Sequence, residues 1–321
     1  MVNINWHIKI GSYKLMLLDS VEIHESVDLL ADTATIVLPG AAINETLKIE
    51  SKIKRGDTVL IQLGYDDELV TEFEGYLESI ATDDGSIKLT CEDGIFQTRV
   101  PVKDVEMKNC TSKDVAAYLI SEINQTAKNK LSLECDYEMK YDKFVISKAM
   151  GYDVFKKLQE ESKGNIYAKG QVIHFHPAYL EKFGDASYDF AVNIEKSDLV
   201  YKKEEDRRVQ VEVEGFGKDG QRVMVTVGTT GGEKRCVKIN GVTDEATLRK
   251  RGEEELKYLV FTGFEGSITA WHIPVVHPGY SAKIKDADYT DKEGTYYVTA
   301  VTTSAGESGI VRKVQLGRKL A

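Results

Sequence analysis

Polar and apolar positions alternate with period two through most of the first hundred residues. Ile8 and Ile10, then Val21 and Ile23, stand between polar neighbours, and Ala34, Ile36 and Leu38 alternate with Thr33, Thr35 and Val37 until Pro39-Gly40 stops the run. Alternation of this kind sends successive side chains to opposite faces of a pleated strand, so these segments are predicted as strands. Further runs, Val59 to Leu63, Glu72 to Ile80 and Ile87 to Cys91, are joined through Asp66-Asp67 and Asp83-Asp84-Gly85, residues that favour turns. Short strands punctuated this regularly predict a small barrel or sandwich.

The period then lengthens. Thr111-Ser112-Lys113-Asp114 offers a hydroxyl to cap free amides and an acid to favour the helix dipole, and Val115, Leu119, Ile120 and Ile123 repeat at helical spacing. A second helix is predicted from near Gly151 to Lys163, with Val154, Phe155 and Leu158 inward and Gly164 as its left-handed stop. Asn165 to His176 reads as a hairpin turning at Lys169-Gly170. Strands return from about residue 190, where Val209, Val211 and Val213 alternate with polar partners. One helix interrupts them, capped at Thr243-Asp244-Glu245 and striped by Leu248, Leu256 and Leu259.

One cassette occurs twice. Near the start, Arg55-Gly56-Asp57-Thr58-Val59 leads to Phe73-Glu74-Gly75-Tyr76-Leu77 and then Gly85-Ser86-Ile87; near the end, Pro278-Gly279-Tyr280-Ser281-Ala282 leads to Gly294-Thr295-Tyr296-Tyr297-Val298 and then Gly309-Ile310-Val311. The expected fold is mainly β with an α+β insertion. Two similar small β-barrels, residues 1–102 and 183–321, flank a small α/β domain at 103–182, and the second barrel carries one helix. A chain of 321 residues is long enough for such a division.

Charge narrows the function. A net charge of −10 opposes nucleic-acid binding, which rests on lysine and arginine neutralising phosphates. Cys91, Cys110, Cys135 and Cys236 have no paired spacing and read as reduced thiols packed as small hydrophobes. The start lacks a basic segment followed by an apolar one, and no apolar run approaches a membrane span, so neither a signal peptide nor membrane insertion is expected.

Few motifs suggest chemistry. Gly215-Phe216-Gly217-Lys218-Asp219-Gly220 spells the dinucleotide fingerprint, but Arg222 to Val227 alternates as a strand where that fingerprint needs a helix. His174 and His176, two apart on a strand, share a face and could chelate a metal, yet no further ligands stand near them in sequence. Asp66-Asp67, Asp83-Asp84 and Glu204-Glu205-Asp206 fall at turns, as solvated acids do. Lys202-Lys203 and Arg207-Arg208 flank the last group, and their mixed signs suit a salt-bridged interface or an exposed loop. The helix bearing Arg249, Lys250, Arg251 and Glu253-Glu254-Glu255 is expected to turn its charges outward. No hydrolase, zinc-protease, P-loop or deaminase motif is present. The reading is therefore of a non-enzyme, with no catalytic residue, cofactor site or metal site assigned.

The order of parts carries a resemblance. Asp32-Thr33-Ala34-Thr35-Ile36-Val37-Leu38-Pro39, Gly56-Asp57-Thr58-Val59, Gly64-Tyr65-Asp66, Phe73-Glu74-Gly75-Tyr76 and Cys91-Glu92-Asp93 resemble the opening of baseplate hub proteins of contractile phage tails, the late control and Mu-like 43 kDa tail proteins, related to the front half of type VI secretion spikes. The helix after Thr111, the Phe155-Lys156-Lys157-Leu158 helix with its Tyr167 hairpin, and Gly266-Ser267-Ile268 before Pro278-Gly279 follow in that family's order. The resemblance implies a homotrimer in which two barrels per chain give six, matching a sixfold tail tube above and a threefold spike below. It also implies a virion tail baseplate made in the host bacterial cytoplasm, with tail tube protein, a separate central spike and other baseplate proteins as partners. A separate spike is expected because the second barrel ends the sequence at Leu316 to Leu320, and DNA is expected to pass an acidic channel without specific binding. The alternatives are an envelope-glycan-degrading tail enzyme, a monomeric tandem-barrel binding module, and the hub of a type VI or tail-like bacteriocin apparatus.

Overall fold

The alternating runs of the first hundred residues form seven strands: β1 (Ile4–Ile10), β2 (Tyr13–Lys14), β3 (Ser20–Ser26), β4 (Thr33–Leu38), β5 (Thr58–Tyr65), β6 (Glu68–Asp83) and β7 (Ser86–Glu92). The structure, a computed structural model, describes residues 4–40, 48–66, 68–83, 85–127, 129–177, 182–217 and 220–320. The middle of the chain forms β8 (Val105–Thr111), α1 (Ser112–Thr126), β9 (Ser132–Cys135), β10 (Lys140–Ile146), α2 (Gly151–Ser162), β11 (Gly164–Lys169) and β12 (Val172–Pro177). Then come β13 (Asp185–Asp189), β14 (Ile194–Ser197), β15 (Val200–Lys202), β16 (Val209–Phe216), β17 (Arg222–Gly228), β18 (Glu233–Asn240), α3 (Glu245–Leu259), β19 (Gly263–Trp271), β20 (Ser281–Lys285), β21 (Gly294–Gly306) and β22 (Gly309–Lys319).

The two closed barrels expected from the sequence do not form. One 14-stranded sheet instead runs through both ends of the chain, in the order β14-β19-β22-β21-β3-β4-β7-β6-β5-β1-β2, with β15 on β19 and β20 and β13 beside β21. Closing a barrel requires its end strands to pair with each other. Here β3 gives its outer edge to β21, in antiparallel register from Ala300↔Ser26 to Ala305↔Val21. At the far ends, among the described residues, β2 pairs only with β1, β14 and β15 only with β19, and β13 only with β20. The result is a mixed α/β fold rich in antiparallel strands, and among the described residues no sheet closes.

The repeated cassette is present as two antiparallel meanders, β5-β6-β7 and β20-β21-β22. Register shifts at Tyr296/Val298 and Val298/Ala300 bend β21, as bulges do, so its first part pairs with β20 and its last part with β3. One strand thereby serves both halves of the sheet.

The alternation read from sequence explains which faces are buried. Ala34, Ile36 and Leu38 are fully buried in β4 while the residues between them are only partly so. They join a core of Ile8, Ile23, Ile61 and Leu89 that also takes in Ala305 and Ile310 from β21 and β22. A second core is drawn from β13 and β19 to β22, around Tyr188, Ile268, Val301 and Val314. A third combines Val115, Leu119, Phe155 and Phe175 of the middle segment with Val211, Val213 and Leu248 of β16 and α3.

The helices start where their caps predict. Thr111 accepts from the Asp114 amide while the Asp114 carboxylate accepts from the Thr111 amide, a reciprocal cap, and Val115, Leu119, Ile120 and Ile123 are all buried. α2 ends one residue before the expected stop: Lys163 takes the left-handed conformation, and Gly164 opens β11. β11 and β12 form the expected hairpin through Gly170. In α3 the cap is Asp244, which accepts from the Thr247 amide. Arg251 departs from the outward expectation: it is buried, donating to the Glu161 carbonyl at 3.2 Å and to Glu255 at 2.9 Å. Among the described residues no helix is long and apolar enough to cross a membrane.

Candidate functional site

The joint between the two ends of the chain is built from buried charge as well as strand pairing. Glu72, from β6, and Arg312, from β22, are fully buried and meet at 2.6 Å. His272, just past β19, donates to the same Glu72 oxygen at 2.8 Å. Arg312 also donates to the His272 carbonyl at 2.8 Å and to Thr303 Oγ1 at 2.9 Å, so its planar fork ties β6, β21, β22 and the segment after β19 together. Burial alone would raise the Glu72 pKa; the His272 hydrogen bond and the charge and hydrogen bond of Arg312 outweigh it, holding the carboxyl below its ordinary value. Beside this cluster Tyr65 accepts from the Ile310 amide at 3.0 Å, and His24 meets Thr302 at 3.0 Å. His277 meets Glu25 at 2.9 Å; burial opposes its charge, but the Glu25 carboxylate wins and raises its pKa.

Apolar side chains remain exposed outside that joint. Trp271, Ile273, Val192, Val200 and Met16 are exposed large hydrophobes on strand ends and loops, and Met224 is exposed within β17. Trp271 and Tyr65 both border the β21–β22 turn, within 3.6 Å of where a Cβ on Gly309 would stand. The outer strands carry charge: Glu195 and Lys196 on β14, Glu233, Lys234 and Arg235 on β18. Charged edges resist indiscriminate strand addition, which leaves side-chain packing as the route to specific association.

The G-x-G-x-x-G run ends β16 and is followed by β17, a strand, where the fingerprint needs a helix; Lys218 and Asp219 lie outside the described residues. Asp67 and Asp84 also lie outside them, while Asp66 sits at a turn with φ of 48°. Glu204, Glu205 and Asp206 form an exposed 3-10 turn. Lys202 and Arg207 both reach Glu265, at 2.9 and 3.2 Å, and line a groove of about 640 Å³ with Arg208, Arg235 and Arg318. Cys91 and Cys110 are buried, whereas Cys135 is partly exposed and Cys236 exposed. His174 and His176 do share a face, their ring centroids 5.6 Å apart. Sequence spacing missed Glu134, which parallel pairing of β9 with β12 sets opposite His174.

Sequence reading also missed a buried acid group. Asp32 and Asp93 are both raised, chiefly by burial, with Asp93 and Glu25 adding to Asp32, and Glu92 and Glu25 opposing two amide hydrogen bonds at Asp93; Asp93 reaches about 7. Together with Glu25 and His277 they line a cavity of only about 110 Å³. Ligand pockets usually measure about 300–1,000 Å³, so a glycan ring has no room there.

A scan against family models finds no match, and a search of curated proteins finds none. Solved structures do match. The tail protein from Neisseria meningitidis MC58 aligns over 98% of this chain and 96% of its own, at 14% identity and a TM-score of 0.65. The 43 kDa tail protein of prophage MuSo2 from Shewanella oneidensis aligns over 98% of both, at 13% identity and 0.65. The E. coli c3393 protein, a type VI secretion component described as similar to T4 tail proteins gp27 and gp5, aligns over 98% of this chain and 77% of its own, at 11% identity and 0.63. The chain shares the fold of these phage-tail and secretion proteins along nearly its whole length.

Proposed function

We propose that the chain is a structural subunit of a baseplate hub in a contractile tail or a related injection apparatus, of the kind that the late control and Mu-like 43 kDa tail proteins represent. The observation that carries this reading is the fold shared over 98% of the chain with tail proteins from two bacteria. Its role is mechanical, not catalytic: a rigid two-ended sheet, fixed at β3–β21 and by Arg312, presents two strand meanders at a set spacing. Three copies would present six meanders, suited to a sixfold tube on one side and a threefold spike, carried by a separate protein, on the other. Interfaces of permanent assemblies bury about 2,000–5,000 Å², and the exposed Trp271, Ile273 and Val200 offer apolar area for them. Residues 1–102, 103–182 and 183–321 serve as the working divisions of the subunit, and a net charge of −10 suits a lumen through which DNA passes without sticking.

Mass photometry of the purified chain, alone and with a candidate tail tube protein, tests the reading. A species at three times 35.9 kDa, or a larger complex containing three copies, is expected. A chain that stays at 35.9 kDa with every tail protein tried contradicts it.

A further inference from the structure

We infer that His174, His176 and Glu134 form a zinc-class metal site on the three-stranded sheet β11-β12-β9, independent of the assembly role. The sheet register builds it. His174 and His176 alternate on β12 with the buried Ile173 and Phe175, so both imidazoles stand on the face away from the core. β9 runs parallel to β12 with Glu134 opposite His174, and β11 places Tyr167 opposite His174 on the other side.

The distances fit a small tetrahedral cation. Metal–ligand bonds of about 2.0–2.1 Å put tetrahedral ligand atoms about 3.3 Å apart. His176 Nε2 lies 3.4 Å from His174 Nδ1, which lies 3.1 Å from Glu134 Oε2. All three donor atoms fall within 4.8 Å of one another. Glu134 is largely exposed, so its carboxylate has the freedom to close the remaining edge.

Ring orientation points the same way. His176 Nδ1 stands 2.6 Å from an Asp136 oxygen, and a carboxylate only accepts, so that nitrogen donates to it and the ring turns Nε2 toward His174. His176 Nε2 and the Glu134 carboxylate both aim at His174 Nδ1. A divalent cation takes all three donors. Asp136 behind His176 is the carboxylate–histidine arrangement that fixes ring orientation and strengthens a metal ligand. Tyr167 stacks on His174 at 4.7 Å and 9°, with Phe183 edge-on behind it at 6.0 Å, which holds the second ring in place. Two nitrogens and one oxygen favour zinc and its transition-metal neighbours over calcium or magnesium, which want oxygen alone.

The test uses the full chain, stripped with a chelator and dialysed, and titrated with zinc against a chromophoric competitor. One zinc per chain is expected, with no competition by excess magnesium or calcium. Asp136→Asn, an exposed substitution that leaves the three ligands in place, should weaken binding by about 10–100-fold, and His174→Gln with His176→Gln should abolish it. Cobalt bound to the native chain should give the intense visible bands of a tetrahedral site, lost in the double variant. Circular dichroism verifies that the variants are folded, and Glu134→Gln, at an exposed position, gives a second variant should the histidine changes unfold the sheet. Zinc that fails to bind the native chain, or binds the folded double variant equally well, overturns the inference; neither result touches the assembly state measured by mass photometry.

Discussion

Replacing Arg312 with methionine tests the joint between the two ends of the sheet. The substitution keeps an apolar stem but removes the guanidinium, which donates to the His272 and Val276 carbonyls, to Thr303 and to Glu72. Glu72 then remains fully buried with only His272 to offset its charge. Removing one partner of a buried ion pair costs about 3–5 kcal/mol, because the other is left charged in a poor solvent. Against a total stability of about 5–15 kcal/mol this is a large loss. Urea unfolding at pH 7, followed by circular dichroism, should show Arg312→Met destabilised by about 3–5 kcal/mol.

The double variant Glu72→Gln/Arg312→Met removes both charges, so its cost should fall short of the sum of the single changes by at least about 2 kcal/mol. The pH dependence has a definite sign. The Glu72 pKa is lowered on folding, so its contribution is present above the unfolded carboxylate range and lost as pH falls through the lower folded value. The gap between native protein and Glu72→Gln should therefore hold at neutral pH and shrink only in acid. A loss under about 1 kcal/mol for Arg312→Met, or strict additivity in the cycle, refutes the claim that this cluster locks the two halves.

Asp93→Asn should stabilise the protein in mild alkali. The native carboxyl is raised to about 7, so its stability contribution is complete below the unfolded pKa and is lost as pH rises through the folded value. Thermal unfolding should show the variant ahead by about 2–4 kcal/mol at pH 8 and level with native protein at pH 4; an advantage that grows toward acid reverses the sign and fails the argument. Gly241→Ala should destabilise by about 2–4 kcal/mol. Its φ is 77°, and an added Cβ would lie 2.1 Å from the Lys143 carbonyl, where the β16–β18 layer docks against β10. An unchanged urea midpoint would show that this docking tolerates rearrangement.

Local structure was legible in the sequence because it depends on neighbours in the chain. Thr111 and Asp114 are three residues apart and cap each other, and Lys169-Gly170 turns a hairpin whose strands are adjacent. Closure was misread for the opposite reason. Each meander alone has the pattern of a small barrel, and only the pairing of β3 with β21, across some 280 residues, decides that the sheet runs on instead. Arg312, Glu72 and His272 look like ordinary polar residues until that pairing buries them. Arg251 departs from the expectation because the charged residues around it suggest solvent, whereas its own guanidinium is buried against the Glu161 carbonyl and Glu255. Glu134 is invisible to periodicity because a parallel register pairs residues 40 apart in the chain, His174 with Glu134.

Electron cryomicroscopy of the chain mixed with candidate tube and spike proteins tests the central claim most directly. The account predicts a threefold ring in which each subunit contributes two meanders, β5-β6-β7 and β20-β21-β22, at near-sixfold positions around an open axis. A single subunit bound off-axis, or a ring whose contacts bypass both meanders, contradicts it.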